Sequence, residues 1–304
     1  MAVFQPTEIQ SYLRCRRQWH YASENRLGLE RNTPSKALSL GLLVHSALED
    51  WLNNPQEDAS FVAQRFAIHQ DEMIEELRKK YLQRVKVPMS EFELQPAMDI
   101  ALLGLRMVVN YAQYWKTPIP EGFEVISTEQ VITAAVPGTY HFIQGRIDGL
   151  LRHKDTGMLA IIDHKTYSQR TSDSALKNNL QFLIYTWIVN QLGLGTCMGV
   201  AYDGLWKRES PPKGRVIHDL FYRTMLVRSP EELTEFVQIV PDLLNEMTTG
   251  PAIFPHRTWN GSCEWDCDFE SLCTAQSRQE DFEHIISTGY GRRLANNRER
   301  VEES

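Results

Sequence analysis

Residues 145–166 read GRIDGLLRHKDTGMLAIIDHKT, and this stretch decides the fold. Alternating apolar residues on both sides of the turn at Asp155-Thr156-Gly157 predict two antiparallel strands. The second strand, residues 158–165, is apolar on both faces, as expected for a central strand that is covered on both sides. Asp148 and Asp163 lie almost equally far from the turn. We therefore expect the hairpin to bring their carboxylates together on adjacent strands.

The charged residues of this hairpin have the chemistry of a metal site. Asp163 and Lys165 are two positions apart, so they project from the same face of a strand. A charged pair at the end of a buried strand is costly unless something uses it. Two carboxylates can hold a hard cation such as Mg²⁺, and a lysine can orient water or stabilise charge developing on a phosphate. The ordinary alternative is an ion pair at the surface.

Outside the hairpin, the sequence predicts helices first and a mixed sheet later. Helical spacing covers most of residues 7–115, and further helices are predicted near 175–191 and 230–247. Alternation predicts strands near 124–135, 140–152, 158–165, 198–207 and 215–226. This order predicts an α/β fold: a mixed central sheet flanked by helices, with an N-terminal helical lobe and a C-terminal Cys-rich segment.

No linker separates these parts, so we expect one cooperative domain in three segments. The helical lobe is predicted over 1–120 and carries Cys15 and His45. The core is predicted over 121–226. The C-terminal helix, the late cysteines and a loose tail are predicted over 227–304.

Two pairs of residues at helical spacing are further candidates. His45 and Glu49 are four apart and share a helix face, and a neutral imidazole is a metal ligand. The alternative for His45 is a partly buried structural histidine. Gln181 and Tyr185 are also four apart, and both can hydrogen-bond a phosphate or a catalytic water. The alternative for this pair is two polar residues on a helix surface.

Composition and charge exclude several classes of protein. The chain has 304 residues, 42% of them hydrophobic and 23% charged, which is typical of a globular protein and not of a disordered chain. The net charge of −7 disfavours a non-specific coat for nucleic acid but leaves room for a local basic groove. No apolar run approaches the roughly 20 residues needed to cross a bilayer. We expect a cytoplasmic protein without a membrane partner.

Four motifs occur in a fixed order: Gly41-Leu-Leu-Val-His45, Gly145-Arg-Ile-Asp148, Asp163-His-Lys165-Thr166 and Gln181-Phe-Leu-Ile-Tyr185. They resemble the G-x-x-x-H, G-x-x-D, D-x-K-T and Q-x-x-x-Y motifs of the RecB-type nuclease domain of the PD-(D/E)XK superfamily. The resemblance implies a restriction-endonuclease-like core and hydrolysis of DNA phosphodiester bonds with Mg²⁺ or Mn²⁺. It further implies an exonuclease that acts on DNA ends or single strands in recombination, repair or DNA processing.

The resemblance also implies the role of each motif residue. The implied metal ligands are His45, Asp148 and Asp163. The implied catalytic residues are Asp148, Asp163, Lys165, Gln181 and Tyr185. One position departs from the family: His164 stands where a tyrosine is common, and by alternation it should point away from the face of Asp163 and Lys165. A carboxylate on the first strand, Glu129, is a weaker candidate for the same site.

The five cysteines are unevenly distributed. Cys263, Cys267 and Cys273 lie within eleven residues, which favours a metal or a cluster over a disulfide in a reducing compartment. Together with Cys15 they resemble the iron–sulfur staple of helicase-associated and CRISPR-associated RecB-type nucleases, which implies a [4Fe–4S] cluster. A four-cysteine zinc site is the alternative. Cys197, in a predicted strand, is expected to be an ordinary buried cysteine.

Basic and aromatic residues near the first cysteine are candidate DNA contacts. Arg14, Arg16 and Arg17 surround Cys15, and Trp19 follows with a ring that could stack on a base. The expected partner is DNA, either single-stranded or at duplex ends. No G-x-x-x-x-G-K-[ST] loop is present, so unwinding would fall to a separate helicase or recombination protein. An oligomer is left open, as is the alternative function of a non-catalytic DNA-binding or assembly module.

Overall fold

A computed structural model describes residues 1–32, 36–249, 255–258, 263 and 267–292. The helices are α1 Pro6–Arg14, α2 Arg16–Ala22, α3 Lys36–Asn53, α4 Ala59–Val85, α5 Glu91–Trp115, α6 Asp173–Lys177, α7 Leu180–Gln191, α8 Pro230–Thr249, α9 Glu270–Arg278 and α10 Phe282–Gly289. The strands are β1 Val3–Phe4, β2 Leu29–Arg31, β3 Phe123–Ala135, β4 Phe142–His153, β5 Leu159–Tyr167, β6 Cys197–Trp206, β7 Phe221–Val227 and β8 Tyr290–Arg292.

The main sheet has six strands and mixed direction. Its order is β1-β4-β5-β6-β7, and β3 pairs with β4. Strand β5 is antiparallel to β4 and parallel to β6, whereas β7 is antiparallel to β6. A separate two-stranded antiparallel sheet joins β2 and β8. The predicted α/β class, with a mixed central sheet flanked by helices, is confirmed.

The predicted hairpin forms the centre of this sheet. Gly149 of β4 pairs with Ile162 of β5, and the pairing runs on to Arg152 and Leu159 near the turn. Residues Leu159 to Ile162 are fully buried, because β5 has a neighbouring strand on each edge and apolar side chains on both faces.

By contacts, the chain divides into two compact units. Unit 1 comprises Met1–Pro34, Ala135–Ile143 and Val237–Ser304, and unit 2 comprises Ser35–Ala134 and Gln144–Phe236. The core of unit 2 includes Trp51 of α3, Phe66 of α4 and Tyr111 of α5, all fully buried. Unit 1 has its own smaller apolar core, which includes Tyr21 and Leu272. The three-segment division at 1–120, 121–226 and 227–304 stays a prediction.

Local polar groups set boundaries that hydrophobic periodicity does not show. The predicted helix over 175–191 is interrupted, because the Asn179 side chain accepts from the N–H of Phe182 and begins α7. Residues Ile217–Leu220 form a 3₁₀ turn, so β7 begins at Phe221 and not near 215. No helix in the described part of the chain is long and apolar enough to cross a membrane.

Candidate active site

Asp163 is the most deeply buried acidic residue of the predicted catalytic set. Its side chain is 3% exposed, and its Oδ1 accepts a hydrogen bond of 2.9 Å from Nζ of Lys165. Its Oδ2 is buried and has no hydrogen-bond partner among the described residues. Burial raises the pKa of Asp163, although Lys165 opposes this effect. One oxygen of the carboxylate is therefore left for another cationic partner.

Asp148 is surrounded by two histidines. Nδ1 of His45, from α3, lies 3.3 Å from Oδ2 of Asp148, and Nδ1 of His164 lies at the same distance from that oxygen. The backbone N–H of His164 also donates to Oδ2 at 2.7 Å. Burial alone would raise the pKa of Asp148, but His45 and the hydrogen bond from His164 outweigh it and hold that pKa well below its usual range.

His164 is the residue that sequence reasoning missed. Alternation along β5 predicts a side chain turned away from the face of Asp163 and Lys165. Its ring is nevertheless 2% exposed and meets Asp148, which extends from the neighbouring strand. The regular pairing of β4 with β5 ends at Gly149 and Ile162, one residue before Asp148 and Asp163, so the hairpin pattern carries no signal for the contact of His164.

Lys165 is held as a cation. Burial would lower its pKa, but the carboxylates of Asp163 and Asp148 outweigh burial and raise it. About a third of its side chain is exposed, so the ammonium group can reach a ligand from solvent. An ammonium placed there can stabilise negative charge that develops on a phosphate.

Gln181 and Tyr185 interact directly on α7. Nε2 of Gln181 donates to the Tyr185 hydroxyl at 2.8 Å. The ring of Tyr185 packs on Gly145 of β4, where an added Cβ would lie 2.3 Å from its Cε1 atom. The Gly145-Arg-Ile-Asp148 motif therefore needs glycine at its first position, because any side chain there would prevent Tyr185 from packing on the strand.

Two glutamates stand at the edge of this site. Glu129 of β3 has a φ of +44°, a left-handed conformation that is uncommon for a residue other than glycine. It forms an ion pair of 2.5 Å with Arg146, and burial raises its pKa. Burial and the charge of Glu129 raise the pKa of Glu49 to about 7. The site thus holds more carboxylates than the motifs alone indicate.

The donor set fits a divalent cation. Two carboxylates and an imidazole are ligands that Mg²⁺ or Mn²⁺ accepts, and Oδ2 of Asp163 lacks a partner. Among the described residues, however, no three His, Cys, Asp or Glu side chains already stand in a group that could hold a metal ion. The direct contacts of Asp148 with His45 and His164 occupy Oδ2 of that carboxylate.

The four predicted cluster cysteines line one cavity within unit 1. They are Cys15, Cys263, Cys267 and Cys273. Cys15 has an extended backbone conformation and separates α1 from α2. Burial would raise the pKa of Cys15, but hydrogen bonds, above all with Thr258, lower it, whereas burial raises that of Cys267. Cys197 is buried in β6 away from this group, in unit 2.

Two of the predicted DNA contacts are buried and are corrected. Arg17 is 7% exposed, and its guanidinium donates to the carbonyl of Pro255, to Oγ of Ser277 and to Sγ of Cys273. Trp19 is 5% exposed, and its Nε1 donates to Glu8. The prediction that these two side chains contact DNA is wrong, because neither is accessible.

Arg14 and Arg16 differ from them. Arg14, at the end of α1, is half-buried. Arg16 is exposed and pairs with Glu246. Both remain candidate DNA contacts.

A family model for the PD-(D/E)XK nuclease superfamily matches residues 4–274. The chain belongs to this superfamily. No curated protein matches the chain. A solved structure of a proposed exonuclease from Eubacterium rectale is 15% identical, with a TM-score of 0.46, and the match covers 87% of this chain and 88% of that one. The structure of SSO0001 is 16% identical, with a TM-score of 0.34, over 65% of this chain and 80% of that one. Both TM-scores are below 0.5, so the family assignment rests on the sequence match.

Proposed function

We propose that this nuclease is a metal-dependent deoxyribonuclease that hydrolyses phosphodiester bonds, and specifically an exonuclease that acts on DNA ends or single strands. The proposal rests on how the two carboxylate oxygens of Asp163 are bonded. One of its oxygens is neutralised by Lys165, while the other is buried without a partner beside Asp148. Such a carboxylate is costly to keep unless a cationic ligand completes it.

The proposed roles follow from the contacts. His45, Asp148 and Asp163 would hold Mg²⁺ or Mn²⁺, which when bound supplies Lewis-acid polarisation and lowers the pKa of a water molecule. Lys165 presents its ammonium group to the phosphate and stabilises the charge that develops there. Gln181 orients the Tyr185 hydroxyl. Tyr185 in turn lies close enough to Lys165 to contribute to its raised pKa.

The alternative is a DNA-binding or assembly module that has kept the fold without catalysis. A module released from catalysis would not need Asp148, Asp163 and Lys165 together, since the buried carboxylate destabilises the fold if nothing binds it. The intact set therefore favours the enzyme.

The test is cleavage of end-labelled DNA with Mg²⁺ or Mn²⁺, against EDTA, by the wild type and by Asp163→Ala and Lys165→Ala. We expect each variant to lose at least about 100-fold in rate, the scale for removing one group that stabilises the transition state. Binding to the same DNA should persist. Lys154→Ala, at the turn beyond β4, is the matched control and should cleave normally. Cleavage near the wild-type rate by either site variant contradicts the assignment.

We further propose a [4Fe–4S] cluster held by Cys15, Cys263, Cys267 and Cys273, with zinc as the alternative metal. Support comes from the single cavity that all four thiols line and from the guanidinium of Arg17, which donates to Sγ of Cys273 at 3.6 Å. A hydrogen bond to a cysteine sulfur of this kind is common around iron–sulfur clusters. Such a clamp would close a loop from residue 15 to 273 and so favour the folded chain.

The remaining proposals concern partners and location. We propose that Arg14 and Arg16 contribute to DNA binding and that the protein acts in the cytoplasm in recombination, repair or DNA processing. A separate helicase or recombination protein would supply any unwinding. The oligomeric state is open.

A further inference from the structure

A basic loop connects β6 to β7. Residues 207–220 read KRESPPKGRVIHDL, with four arginines or lysines against one glutamate and one aspartate, in a chain whose net charge is −7. Both acidic side chains of this loop are already paired. Asp219 lies 3.8 Å from Arg215 of the same loop, and Glu209 pairs with Arg106 of α5. Asn110 of α5 also donates to the backbone carbonyl of Glu209 at 2.9 Å. The loop is thus fixed to α5 and presents positive charge to solvent.

Three cations of this loop are available to a ligand. Lys207, Arg208 and Lys213 form no ion pair with any residue that the structure describes. The guanidinium of Arg208 lies over the ring of Trp206, 4.5 Å from its centroid. The backbone N–H of Lys207 donates to the carbonyl of Tyr167 at 2.8 Å, which holds the start of the loop against the end of β5.

A second arginine lies over an aromatic ring in β7, the strand that follows this loop. Arg170, just after β5, lies 3.7 Å above the ring of Tyr222 in β7. Asp173 fixes the pair, because it accepts from the Tyr222 hydroxyl at 3.0 Å and lies 3.4 Å from the Arg170 guanidinium. The Arg170 side chain is 55% exposed despite these contacts. Its outer face and its remaining N–H donors are therefore open to solvent.

Tyr222 lies in one row across the sheet with the proposed catalytic lysine. Lys165 of β5 pairs with Gly204 of β6, and Gly204 pairs with Tyr222 of β7. Two strand spacings put Tyr222 about 10 Å from Lys165 along the row. An added Cβ at Gly204 would lie 2.8 Å from the ring of Tyr167 and 2.9 Å from that of Tyr202, so these two rings cover the glycine. The Tyr202 and Tyr222 centroids are 6.2 Å apart, which makes the row aromatic from Lys165 outward.

We propose that Arg170, Trp206, Arg208 and Tyr222 form a stacking platform that binds single-stranded DNA and leads it to Lys165. The proposal deepens the proposed function, on which it rests for the identity of the ligand. Aromatic rings and guanidinium planes stack on unpaired bases of any sequence, while neighbouring cations follow the phosphates. Lys207 and Lys213 supply those cations here.

Single-stranded DNA fits this surface better than duplex DNA. The bases of a duplex are stacked on one another and expose only their edges. The two arginine–ring pairs would therefore find no exposed base face to stack on. A patch that bound the duplex would act through phosphates alone and would not need Trp206 or Tyr222. The pairing of each arginine with a ring is therefore what favours the single strand.

The test measures binding without cleavage, with the full-length protein in EDTA and fluorescence anisotropy of two labelled probes. One probe is a single-stranded 20-nucleotide DNA, and the other is a blunt duplex of the same sequence. We expect the double variant Arg170→Ala/Arg208→Ala to bind the single strand at least about tenfold more weakly, because it removes two planes on which unpaired bases stack. Duplex binding should change less than about twofold. The salt dependence of single-strand binding should also weaken.

The matched control is Arg152→Ala/Arg278→Ala, which removes two exposed arginines that lie near Glu124 and Glu280 and not near an aromatic stack of the platform. This control should bind both probes like the wild type. A second comparison tests the ring itself. Tyr222→Phe keeps the ring but loses the hydrogen bond to Asp173 and should retain most of the binding, whereas Tyr222→Leu should lose it. Melting curves confirm that each variant is folded.

The outcomes distinguish this inference from the proposed function. Equal weakening on both probes, or no weakening on the single strand, overturns the platform even if the wild type cleaves DNA. A selective loss on the single strand supports the platform even if the wild type shows no cleavage with Mg²⁺ or Mn²⁺. Tighter binding of a single-stranded RNA of the same sequence overturns the assignment of DNA as the ligand.

Discussion

Nδ1 of His164 lies 3.3 Å from Oδ2 of Asp148, the same oxygen that accepts the backbone N–H of His164 at 2.7 Å. One residue of β5 thus holds a carboxylate of β4 through its ring and its backbone. The ring of Tyr111 packs edge-on against the ring of His164, with the two centroids 6.3 Å apart. His164 therefore fixes the orientation of Asp148 without belonging to the motif residues themselves.

Replacing His164 by phenylalanine should weaken metal binding while the chain stays folded. The ring volume is kept, but Asp148 loses the contact with Nδ1 and is then held only by the backbone N–H of residue 164 and by His45. Groups that orient a metal ligand typically contribute 10–100-fold to affinity, so we expect a loss of about tenfold for Mn²⁺ in calorimetry without DNA. His153→Phe, at the end of β4, is the control. Equal Mn²⁺ affinity of both variants would show that His164 only fills space.

The two motif glycines should respond in opposite ways to alanine. In Gly145→Ala the new Cβ would lie 2.3 Å from Tyr185 Cε1, so the ring must move and the hydrogen bond from Gln181 is lost. We expect at least about a tenfold loss of cleavage and about 1–3 kcal/mol of destabilisation. In Gly41→Ala the nearest atom is Oγ1 of Thr166 at 4.0 Å, an ordinary contact.

Gly41→Ala is therefore the matched control. It should keep activity and gain up to about 1 kcal/mol of stability, because alanine favours the helix α3. Cleavage assays and thermal melting of the two variants, side by side, decide the question. If both variants kept full activity, the packing of Tyr185 against β4 would be irrelevant to catalysis.

The central hairpin could be predicted because its information is local. A short turn sets the register of Gly149–Arg152 against Leu159–Ile162, and Asp148 and Asp163 are the next residues along the two strands. The burial of Arg17 and Trp19 could not be predicted, because their partners Cys273 and Glu8 are set by tertiary packing. A run of arginines near a tryptophan gives the same sequence signal whether it faces solvent or a cavity.

The stacking platform was hidden for a related reason. Arg170 and Tyr222 are far apart in the sequence and meet only because β5, β6 and β7 are neighbours in the sheet. Without the strand order, neither residue stands out from the other arginines and tyrosines of the chain. Strand order is a property of long-range pairing, which hydrophobic periodicity does not contain.

His45→Ala should reduce cleavage mainly by loosening the metal. Nδ1 of His45 lies 3.3 Å from Oδ2 of Asp148. Its loss therefore removes one proposed metal ligand and also a contact that holds the Asp148 carboxylate. We expect activity at low Mn²⁺ to fall by at least about tenfold and to recover in part at high Mn²⁺, with calorimetry showing weaker Mn²⁺ binding. His69→Ala is the control, because His69 pairs with Asp50 and Glu72 instead. Unchanged activity at low Mn²⁺ would make His45 a packing residue.

Glu49 should make the fold less stable as pH rises. Its pKa is raised from about 4.5 to about 7, so the folded chain holds this proton more tightly than the unfolded chain. The stabilisation is complete below about pH 4.5 and is lost as pH rises towards 7. In EDTA at pH 8, Glu49→Gln should therefore melt about 3 °C or more above the wild type.

Below about pH 4.5 the melting temperatures of wild type and Glu49→Gln should coincide, because both side chains are then neutral. Glu121→Gln, at an exposed position, is the control and should follow the wild type at every pH. A wild type that is as stable as Glu49→Gln at pH 8 would mean that Glu49 is ionised without cost, and its proposed burial beside Glu129 would be contradicted.

Cys267→Ser should remove the metal and loosen unit 1, whereas Cys197→Ser should leave the metal content unchanged. Cys267 lines the cavity with Cys15, Cys263 and Cys273, while Cys197 is buried in β6 of unit 2. Protein purified without oxygen should be brown and contain iron and sulfide. Cys267→Ser should be colourless and less soluble, with a lower melting temperature.

Activity should fall in Cys267→Ser only as far as stability falls, because no cysteine belongs to the set of Asp148, Asp163 and Lys165. At a temperature well below the melting transition, the variant should therefore cleave DNA at a rate close to that of the wild type. Metal analysis of both proteins separates the possibilities. Zinc in place of iron keeps the four-cysteine clamp and overturns the cluster, and no metal in the wild type overturns both. Loss of colour in Cys197→Ser would mean that the cluster does not lie in the cavity of unit 1.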